Sequence, residues 1–524
     1  MEKQELHNGL RLLKKGQKGL LRMIFGRMGI VLLLLIVQFL ILFAIFFWFE
    51  DFLPHYYGAQ TIFLIAMVLY LLNSGMDPSS KITWLVIIMI VPVFGSLLWL
   101  FTKSEFGHKA MKWRIRQTNK ETEQVILQPQ TVIDALTAAD PGAAALTRFA
   151  GKGGCSPVFT NTQVTYFPLG EDKFERMLRE LEKAEKFIFL EYFIIDEGDM
   201  WGQILEILAC KAKQGVEVRV LYDGTCELAL LPKSYPKRLE ALGIKCKVFA
   251  PAMPFLSTHY NYRDHRKIAV VDGRVAFNGG INLADEYINR IPRFGHWKDT
   301  AVMLQGDAVD SFTLMFLQMW NLSEKKGEYE RYLRCQVPRI SAPGFVMPFG
   351  DCPLDDVRTG QQVYMDILYR AKRYVHIMTP YLILDSEMEN ALKYAAARGV
   401  EIKLLLPGVP DKKPIYYLGK MHYKSLLSAG VQIYEYTPGF VHAKVFVCDD
   451  CEAVVGTINL DYRSLCHHFE CATYMLGVDC IPQIEADFQN CLQKSRQVNM
   501  QTANKEKWYI KLTGYLLKVV APLL

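Results

Sequence analysis

The residues with the clearest chemical potential form an eighteen-residue pattern that occurs twice in the chain. The first copy runs from His265 to Asn282 and the second from His442 to Asn459. Each copy places His, Lys, Asp, Gly and Asn at the same offsets, and the matched residues are His265, Lys267, Asp272, Gly279 and Asn282, then His442, Lys444, Asp449, Gly456 and Asn459. One copy supplies one imidazole and one ammonium group. Two copies that face each other therefore supply two of each around a single anion.

Two imidazoles and two ammonium groups are sufficient for phosphodiester transfer without a metal. One imidazole attacks phosphorus, while the other protonates the leaving oxygen and then deprotonates the incoming alcohol or water. Lys267 and Lys444 would neutralise the non-bridging oxygens as charge builds in the transition state, and the amides of Asn282 and Asn459 would help to orient them. Neither copy is sufficient alone, so the duplication itself predicts one composite site.

The local pattern predicts a strand, a turn and a second strand in each copy. His-x-Lys followed by an apolar run is typical of a strand, in which residues i and i+2 share one face. Asp272 and Asp449 open the turns, and we expect them to be structural through hydrogen bonds from side chain to backbone. Each second strand ends at Gly-Gly-x-Asn or Gly-Thr-x-Asn, where the backbone can approach a ligand closely.

The repetition extends beyond this motif. The order helix, buried strand, helix, strand is predicted from about Asp172 to Gly224, and a strand, helix, strand order returns from Arg373 to Gly408. The joints Gln214–Val218 and Arg398–Ile402 have nearly the same sequence. We therefore predict an α/β fold built from a duplicated domain, with the seam near Ser323–Asp351.

Hydrophobic segments precede the repeats. The chain has 524 residues, is 51% hydrophobic and carries a net charge of +6. Apolar segments at about 30–49, 57–73 and 82–101 predict transmembrane helices, the second being only just long enough. Basic residues cluster before the first segment and after the third, and each cluster is predicted to lie on the cytoplasmic side. Three full spans would place the two clusters on opposite sides of the membrane, so both predictions cannot hold. Residues 505–524 predict an amphipathic helix that lies on lipid or, equally on pattern, packs on the protein's own core.

The predicted organisation is therefore a membrane-anchoring region at 1–105, a first domain at 106–330, a second domain at 331–504 and the amphipathic segment at 505–524. Twelve cysteines lack the spacing of a metal site, so we expect neither a metal nor another cofactor. Basic residues cluster beside the hydrophobic segments rather than along the folded part, which disfavours nucleic acid as a partner.

Both copies match the H-x-K-x4-D-x6-G motif completely, and the chain resembles the phospholipase D superfamily. It is particularly similar to bacterial cardiolipin synthases in three stretches: DP-x-x-K-x-x-W at Asp77–Trp84, NYRDHRK at Asn261–Lys267 and YEYTPGFVHAK at Tyr434–Lys444. The likeness extends from about Tyr57 to the C-terminus. It implies two phospholipase D-like α/β/α domains that form one active site, preceded by N-terminal transmembrane helices, in a multi-pass protein of the bacterial plasma membrane.

The resemblance also implies an activity. A phosphatidyl group would pass from one phosphatidylglycerol to another through a phosphatidyl-histidine, giving cardiolipin and glycerol. The N-terminal motif of the family usually supplies the nucleophile, which assigns attack to His265 and acid–base chemistry to His442. The family pattern further implies that Asp299 and Glu470, some thirty positions after the motif histidines, each orient the imidazole of the other motif. The expected partners are phospholipids, namely phosphatidylglycerol and cardiolipin; the sequence sets no oligomeric state.

Three other functions are alternatives; two of them would use the same motif residues and the third would use no catalytic residue. Water as acceptor would make the protein a membrane phospholipase D, and a nucleic acid substrate would make it a nuclease or another phosphodiesterase. A non-catalytic scaffold is disfavoured by the complete motifs, and a nuclease by the hydrophobic segments.

Two features of the sequence depart from the family pattern. His468 stands where the family has Asn, and the segment at 30–49 is additional to the usual hydrophobic pair.

Overall fold

A computed structural model of the chain describes residues 56–90 and 106–523, apart from 154–155, 252–261, 325–326, 334–339 and 356. It also describes scattered positions between 36 and 47 and between 95 and 99. The hydrophobic segment at 30–49 and the second half of the segment at 82–101 therefore lie largely outside the described residues.

Five helices precede the first strand in the described part of the chain. They are α1 (Tyr56–Asn73), α2 (Pro78–Ile90), α3 (Phe106–Thr122), α4 (Gln130–Ala139) and α5 (Pro141–Gly153). The first two overlap the second and third predicted membrane segments, and they expose large apolar side chains such as Ile62, Leu69 and Ile90. Among the residues described, none of the helices combines the length and the apolar character needed to cross a bilayer.

The first repeat is a mixed sheet with helices against it. Its elements are β1 (Thr162–Phe167), α6 (Gly170–Glu182), β2 (Phe187–Tyr192), α7 (Asp199–Lys213), β3 (Glu217–Asp223), α8 (Cys226–Ala229), α9 (Tyr235–Glu240), β4 (Lys245–Phe249), β5 (Arg263–Asp264), β6 (Lys267–Val271), β7 (Val275–Gly279), β8 (His296–Lys298), β9 (Ala301–Gly306) and α10 (Val309–Trp320). Seven of the described strands form one sheet in the order β1-β9-β7-β6-β2-β3-β4. The βαβ units β2-β3-β4 are parallel and the remaining pairs antiparallel.

The second repeat has the same plan. Its elements are β10 (Phe345–Asp351), α11 (Thr359–Arg370), β11 (Tyr374–Met378), α12 (Ser386–Ala397), β12 (Glu401–Pro407), α13 (Lys413–Ser428), β13 (Gln432–Tyr436), β14 (Gly439–Val441), β15 (Val445–Cys448), β16 (Glu452–Gly456), α14 (Tyr462–Cys466), β17 (His468–Leu476), α15 (Ile481–Gln493), β18 (Ser495–Val498), α16 (Met500–Asn504) and α17 (Trp508–Val520). The sheet order among described strands is β10-β17-β16-β15-β11-β12-β13-β18, again with a parallel trio, β11-β12-β13. The prediction of a repeated α/β fold is confirmed.

One hydrophobic core lies between the two sheets. It contains Phe189 and Val270 from the first sheet, Val445 and Cys471 from the second, and the largely buried helix α10 between them. Burying aromatic and branched side chains from both repeats in one cluster stabilises them as a unit. The helices α4 and α5 pack on the second sheet, through residues such as Leu136, although they precede the first repeat in sequence.

The C-terminal helix α17 packs on α13 and reaches the N-terminal helices. The hydroxyl of Thr83, in α2, donates to the carbonyl of Val519 at 2.6 Å. The opposite side of α17 exposes apolar side chains, among them Trp508, Tyr515 and Leu516. The two alternatives for residues 505–524, packing on the protein and lying on lipid, are therefore compatible. One face of α17 packs on the protein, and the opposite face remains available for lipid.

The aspartates of the two motifs anchor the central strands. The carboxylate of Asp272 accepts the backbone N–H groups of residues 185–187, each at 2.8 Å, where β2 begins. Asp449 does the same for residues 372–374 at 2.7–2.9 Å, where β11 begins. Both aspartates have positive φ, 55° and 52°, a conformation that aspartate tolerates better than most residues.

We predict that Asp272→Ala lowers the free energy of unfolding by about 2 kcal/mol, because three backbone donors lose a charged acceptor. Denaturation of the purified protein in detergent measures this, with Asp307→Ala as a control at an exposed turn carboxylate. Equal stability of the Asp272→Ala variant and the unmodified protein would contradict the anchoring role.

Candidate active site

Two short parallel ladders that join the repeats position the motif histidines. The strand β5, directly before His265, pairs with β17 of the second repeat, and the N–H of His265 donates to the carbonyl of Phe469 at 2.9 Å. The strand β14, directly before His442, pairs with β8 of the first repeat, and the N–H of His442 donates to the carbonyl of Lys298 at 2.7 Å. Each motif therefore enters the site along the edge of the other repeat.

This placement differs from the predicted strand in one respect. His265 and His442 lie between two short strands rather than within one, because the chain leaves the partner repeat's ladder at the histidine and joins its own sheet at β6 or β15. The prediction that each histidine lies within the strand is therefore wrong, although the structure still places Lys267 and the ring of His265 against the same side chain, Phe193. Lys267 instead donates from Nζ to the carbonyl of His265 at 2.5 Å, and Lys444 donates likewise to the carbonyl of His442.

Each imidazole meets a carboxylate from the opposite repeat. Nδ1 of His265 lies 2.9 Å from both carboxylate oxygens of Glu470. Nδ1 of His442 lies 2.7 Å from Oδ2 of Asp299. All four side chains are at least nine-tenths buried. The structure thus places Asp299 and Glu470 against the imidazoles that the family pattern pairs them with, and it leaves Nε2 of each ring as the nitrogen for chemistry.

Burial controls the ionisation of the two histidines. It lowers the pKa of His265 well below its ordinary value, and the charges of Lys267 and His468 add to this effect. Burial and then Lys444 lower the pKa of His442 to about 4, against the opposing influence of Asp299. Both rings are therefore neutral at physiological pH before a substrate enters.

The two carboxylates differ in basicity. Burial raises the pKa of Glu470 well above its ordinary range, although Lys267 acts in the opposite direction. Burial also works against ionisation of Asp299, but the neighbouring His442 and Lys444 outweigh it and hold its pKa below the ordinary value. The carboxylate that faces His265 is consequently the stronger base of the two.

The lysines are buried cations next to the rings. Burial lowers the pKa of Lys267 to about 8 and that of Lys444 to about 7. Each ammonium group influences the histidine of the other motif as well as its own, so the four groups form one electrostatic unit. An anion that binds among them would favour the charged form of both lysines.

Asp272 and Asp449, which belong to the predicted catalytic set, do not join this group. Asp272 follows the far end of β6, roughly 17 Å from Lys267 at about 3.3 Å per strand residue. Its carboxylate binds the start of β2, as Asp449 binds the start of β11. They support the strands that carry the site rather than contact its centre, as the turn pattern predicts.

The asparagines of the two motifs have different surroundings. Asn282 accepts the N–H of Ile194 at 3.0 Å and donates to the hydroxyl of Tyr287 at 2.7 Å. Asn459 is buried, and its side-chain oxygen lacks a hydrogen-bond partner among the residues described. Asn282 thus holds Tyr287, whose ring lies 5.4 Å from that of His442, so any contribution to phosphate binding is in addition to this role.

Several side chains that sequence reasoning missed also contact the site. The hydroxyl of Thr457 donates to Glu470, and Thr457 occupies the motif offset of Gly280 in the other copy. The ring of Phe193 lies 4.9 Å from that of His265 and 5.3 Å from Nζ of Lys267. The offset of Thr457 was a readable signal, whereas nothing local in the sequence marks Phe193.

One group of side chains has the composition of a metal site. Ligating atoms of His265, His468 and Glu470 lie within 4.8 Å of one another. Two imidazoles and a carboxylate are ligands that zinc accepts. Two of these three residues, His265 and Glu470, already form the hydrogen-bonded pair described above.

The comparisons with known proteins agree with the repeated α/β fold. A family profile described as "Cardiolipin synthase, PLD-like domain" matches residues 177–320 and 364–492, about half of the chain. A profile described as "Phospholipase_D-nuclease N-terminal" matches residues 62–103. Cardiolipin synthase 2 of Bacillus anthracis is 32% identical over 467 residues, which cover 88% of this chain and 90% of the relative.

Other relatives have similar coverage. Cardiolipin synthase of Geobacillus kaustophilus is 32% identical and covers 88% of this chain and 92% of its own. An uncharacterized protein of Streptococcus mutans is 56% identical over 461 residues, 88% of this chain and all of the relative. The crystal structure of phosphatidylserine synthase from Haemophilus influenzae, at 13% identity and a TM-score of 0.55, covers 73% of this chain and 98% of its own, and supports the fold.

Gly280 lies so close to Asp299 that a side chain cannot be added without moving the carboxylate. A Cβ atom at Gly280 would be 2.1 Å from Oδ1 of Asp299. We predict that Gly280→Ala lowers the rate of phosphodiester turnover by about 10²-fold, because the carboxylate that orients His442 is displaced. Gly151→Ala is the matched control, since a Cβ atom there has no neighbour within 4 Å. Unchanged turnover in Gly280→Ala would contradict the orienting role of Asp299.

Proposed function

Because the chain belongs to the cardiolipin synthase family of phospholipase D-like phosphatidyltransferases, we propose that it makes cardiolipin and glycerol from two molecules of phosphatidylglycerol. The observation that carries the proposal is the pair of buried imidazole–carboxylate contacts, His265 with Glu470 and His442 with Asp299, each of which crosses between the repeats. Two imidazoles held in this way support a transfer in two steps.

In the first step, Nε2 of His265 attacks the phosphorus of the donor lipid. The equal distances from Nδ1 to both oxygens of Glu470 fit an N–H shared by a carboxylate, and Thr457 donates to the same carboxylate. A carboxylate with a raised pKa withdraws that ring proton strongly, which makes Nε2 more nucleophilic. A phosphorus–nitrogen bond forms and the phosphorus–oxygen bond to the leaving glycerol breaks.

His442 protonates that leaving oxygen. Asp299 has a lowered pKa, so it stays ionised and stabilises an imidazolium at His442 without taking its proton. The negative charge of a bound phosphodiester raises the pKa of His442 from its low value in the empty site, which allows it to act as the acid. Lys267 and Lys444 neutralise the charge that builds on the non-bridging oxygens.

In the second step, His442, now neutral, accepts the proton of the glycerol hydroxyl on the acceptor phosphatidylglycerol. The alkoxide oxygen attacks phosphorus, the bond to Nε2 of His265 breaks, and cardiolipin leaves. His442 is then protonated, as it was with the donor lipid bound, and it releases this proton once the anionic product has left, which restores the neutral empty site. No atom is left over and no metal or other cofactor takes part.

The lipid substrate agrees with the apolar surfaces. We propose that the segments at 30–49, 57–73 and 82–101 hold the protein in the bacterial plasma membrane as a multi-pass anchor, and that α17 lies on the lipid surface with Trp508 and Leu516 towards it. The helices that expose apolar residues lie together, since α1 packs on α2 and α2 meets α17 at Thr83 and Val519, and this supports a single membrane-facing side. Nucleic acid has no part in this scheme.

Incubation of the purified protein with labelled phosphatidylglycerol in detergent or vesicles tests the acceptor. We predict labelled cardiolipin and free glycerol in equal amounts, with the same rate in EDTA. Phosphatidic acid as the sole labelled product would instead identify a phospholipase D that uses water. A strict metal requirement would contradict the transfer between two imidazoles.

The covalent step is tested by separating the two imidazoles. His265→Ala and His442→Ala should each reduce turnover by about 10³-fold or more, since one loses the nucleophile and the other the acid. In His442→Ala, a brief incubation with lipid labelled in its phosphate should leave label on His265, which peptide mapping at alkaline pH detects. Label on His442 in the complementary His265→Ala variant, and none on His265, would reverse the assignment.

A further inference from the structure

Three aromatic side chains lie around the imidazole of His442. The ring centroids of Tyr287 and Trp297 are each 5.4 Å from that of His442, and the ring centroid of Phe440 is 5.9 Å away. All three side chains are buried. They also contact one another, with ring centroids 4.7 Å apart for Tyr287 and Trp297 and 5.0 Å apart for Trp297 and Phe440. The three residues therefore form one continuous aromatic wall beside this imidazole.

The aromatic wall is held in place by contacts that do not involve His442. Trp297 and Phe440 are register partners in the ladder between β8 and β14, so each repeat contributes one of them. The side chain of Asn289 accepts the backbone N–H of Trp297 at 2.7 Å and donates to its carbonyl at 3.0 Å. Asn282 donates to the hydroxyl of Tyr287 at 2.7 Å. The rings are therefore fixed beside the imidazole by the backbone and by hydrogen bonds.

His442 has to carry a positive charge in a buried place. It is an imidazolium when it protonates the leaving glycerol in the proposed first step. Burial opposes this charge most strongly, and Lys444 and Lys267 oppose it too, while the carboxylate of Asp299 favours it. The face of an aromatic ring is partly negative and attracts a cation within about 6 Å of the ring centroid. All three centroids of the aromatic wall lie within this distance of the His442 ring.

The imidazole of His265 has different surroundings. The ring of Phe193 lies 4.9 Å from that of His265 and also 5.3 Å from Nζ of Lys267, so this ring already faces a cation. The other neighbouring ring is the imidazole of His468, at 5.3 Å between centroids. The two motif histidines therefore differ in their aromatic neighbours as well as in the basicity of their carboxylates.

We propose that Tyr287, Trp297 and Phe440 are positioning residues that stabilise the imidazolium of His442 and thereby assist protonation of the leaving glycerol. The inference rests on the proposed function, which assigns the acid to His442. The aromatic wall supplies partial negative charge without adding a second carboxylate, which would pair with the lysines that bind the substrate anion. Loss of a ring should therefore slow the departure of a group that needs a proton and spare the departure of one that needs none.

Two donor lipids that differ in the leaving group separate these cases. Glycerol leaves phosphatidylglycerol as a poor anion unless it receives a proton, whereas p-nitrophenol leaves phosphatidyl-p-nitrophenol as a stable anion. Both lipids are mixed with the full-length protein in detergent micelles, with protein in excess, so that release reports only the first step. The quantity measured is the ratio of the rate of glycerol release to the rate of p-nitrophenol release.

Leucine keeps an apolar side chain and removes the ring. We expect Trp297→Leu and Tyr287→Leu each to lower the release ratio about fivefold, because the imidazolium loses an aromatic face. Trp297→Phe and Tyr287→Phe keep a ring and should keep most of the ratio. The matched control is Phe193→Leu, the same kind of change beside His265, which should leave the ratio unchanged whatever it does to the two rates.

His442→Ala shows which idea fails. If His442→Ala lowers the ratio while the leucine variants do not, or while they slow both releases equally, the role of the aromatic wall is overturned and the acid assignment stands. If His442→Ala leaves the ratio unchanged, the acid assignment in the proposed function is overturned instead. Release of p-nitrophenol shows in the same sample that a variant is folded, and Phe440→Leu, the smallest change in the wall, decides where the other leucine variants release neither group.

Discussion

Backbone pairing between the repeats is the constraint on which the active site depends. The ladder β5–β17 carries His265 to Glu470, and the ladder β14–β8 carries His442 to Asp299. Because main-chain hydrogen bonds fix strand register, the imidazole–carboxylate distances are set by the backbone rather than by flexible side chains alone. Neither repeat can hold its own histidine in this way, so duplication is a structural requirement of the site as well as a chemical one.

Burial then determines the chemistry of the six side chains in the site. It keeps both imidazoles neutral and lowers the pKa of both lysines, while the low polarity of the surroundings strengthens the attraction between a lysine ammonium group and a bound anion. The two carboxylates respond in opposite directions, with Glu470 made more basic and Asp299 held ionised. This difference supports the separate roles proposed for the two halves, attack at His265 and proton transfer at His442.

The sequence predicted the repeated α/β fold and the meeting of the two motifs because both leave periodic, local signals. Such signals are the equal residue offsets in the two copies of the motif and the similar sequences of Gln214–Val218 and Arg398–Ile402. The position of each histidine outside its strand was mispredicted, since the strand that leads into it is two or three residues long and pairs with the other repeat. Long-range pairing of this kind has no local pattern.

Contacts between distant parts of the chain were equally hidden. Phe193 beside His265, Arg263 opposite His468 in register, and the packing of α4 and α5 on the second sheet all join segments that are far apart in sequence. His468 was visible only as an exception to the family pattern. Its burial and its position 5.3 Å from the ring of His265, measured between ring centroids, emerge only in the fold.

The most direct measurement of the central claim, a transfer in two steps through one composite site, is the stereochemical course at phosphorus. A phosphatidylglycerol made chiral at phosphorus with sulfur and oxygen isotopes should give a cardiolipin with retained configuration at the transferred phosphorus, because two in-line displacements each invert it. Inversion would show that the acceptor attacks the donor lipid directly and would contradict the covalent histidine step.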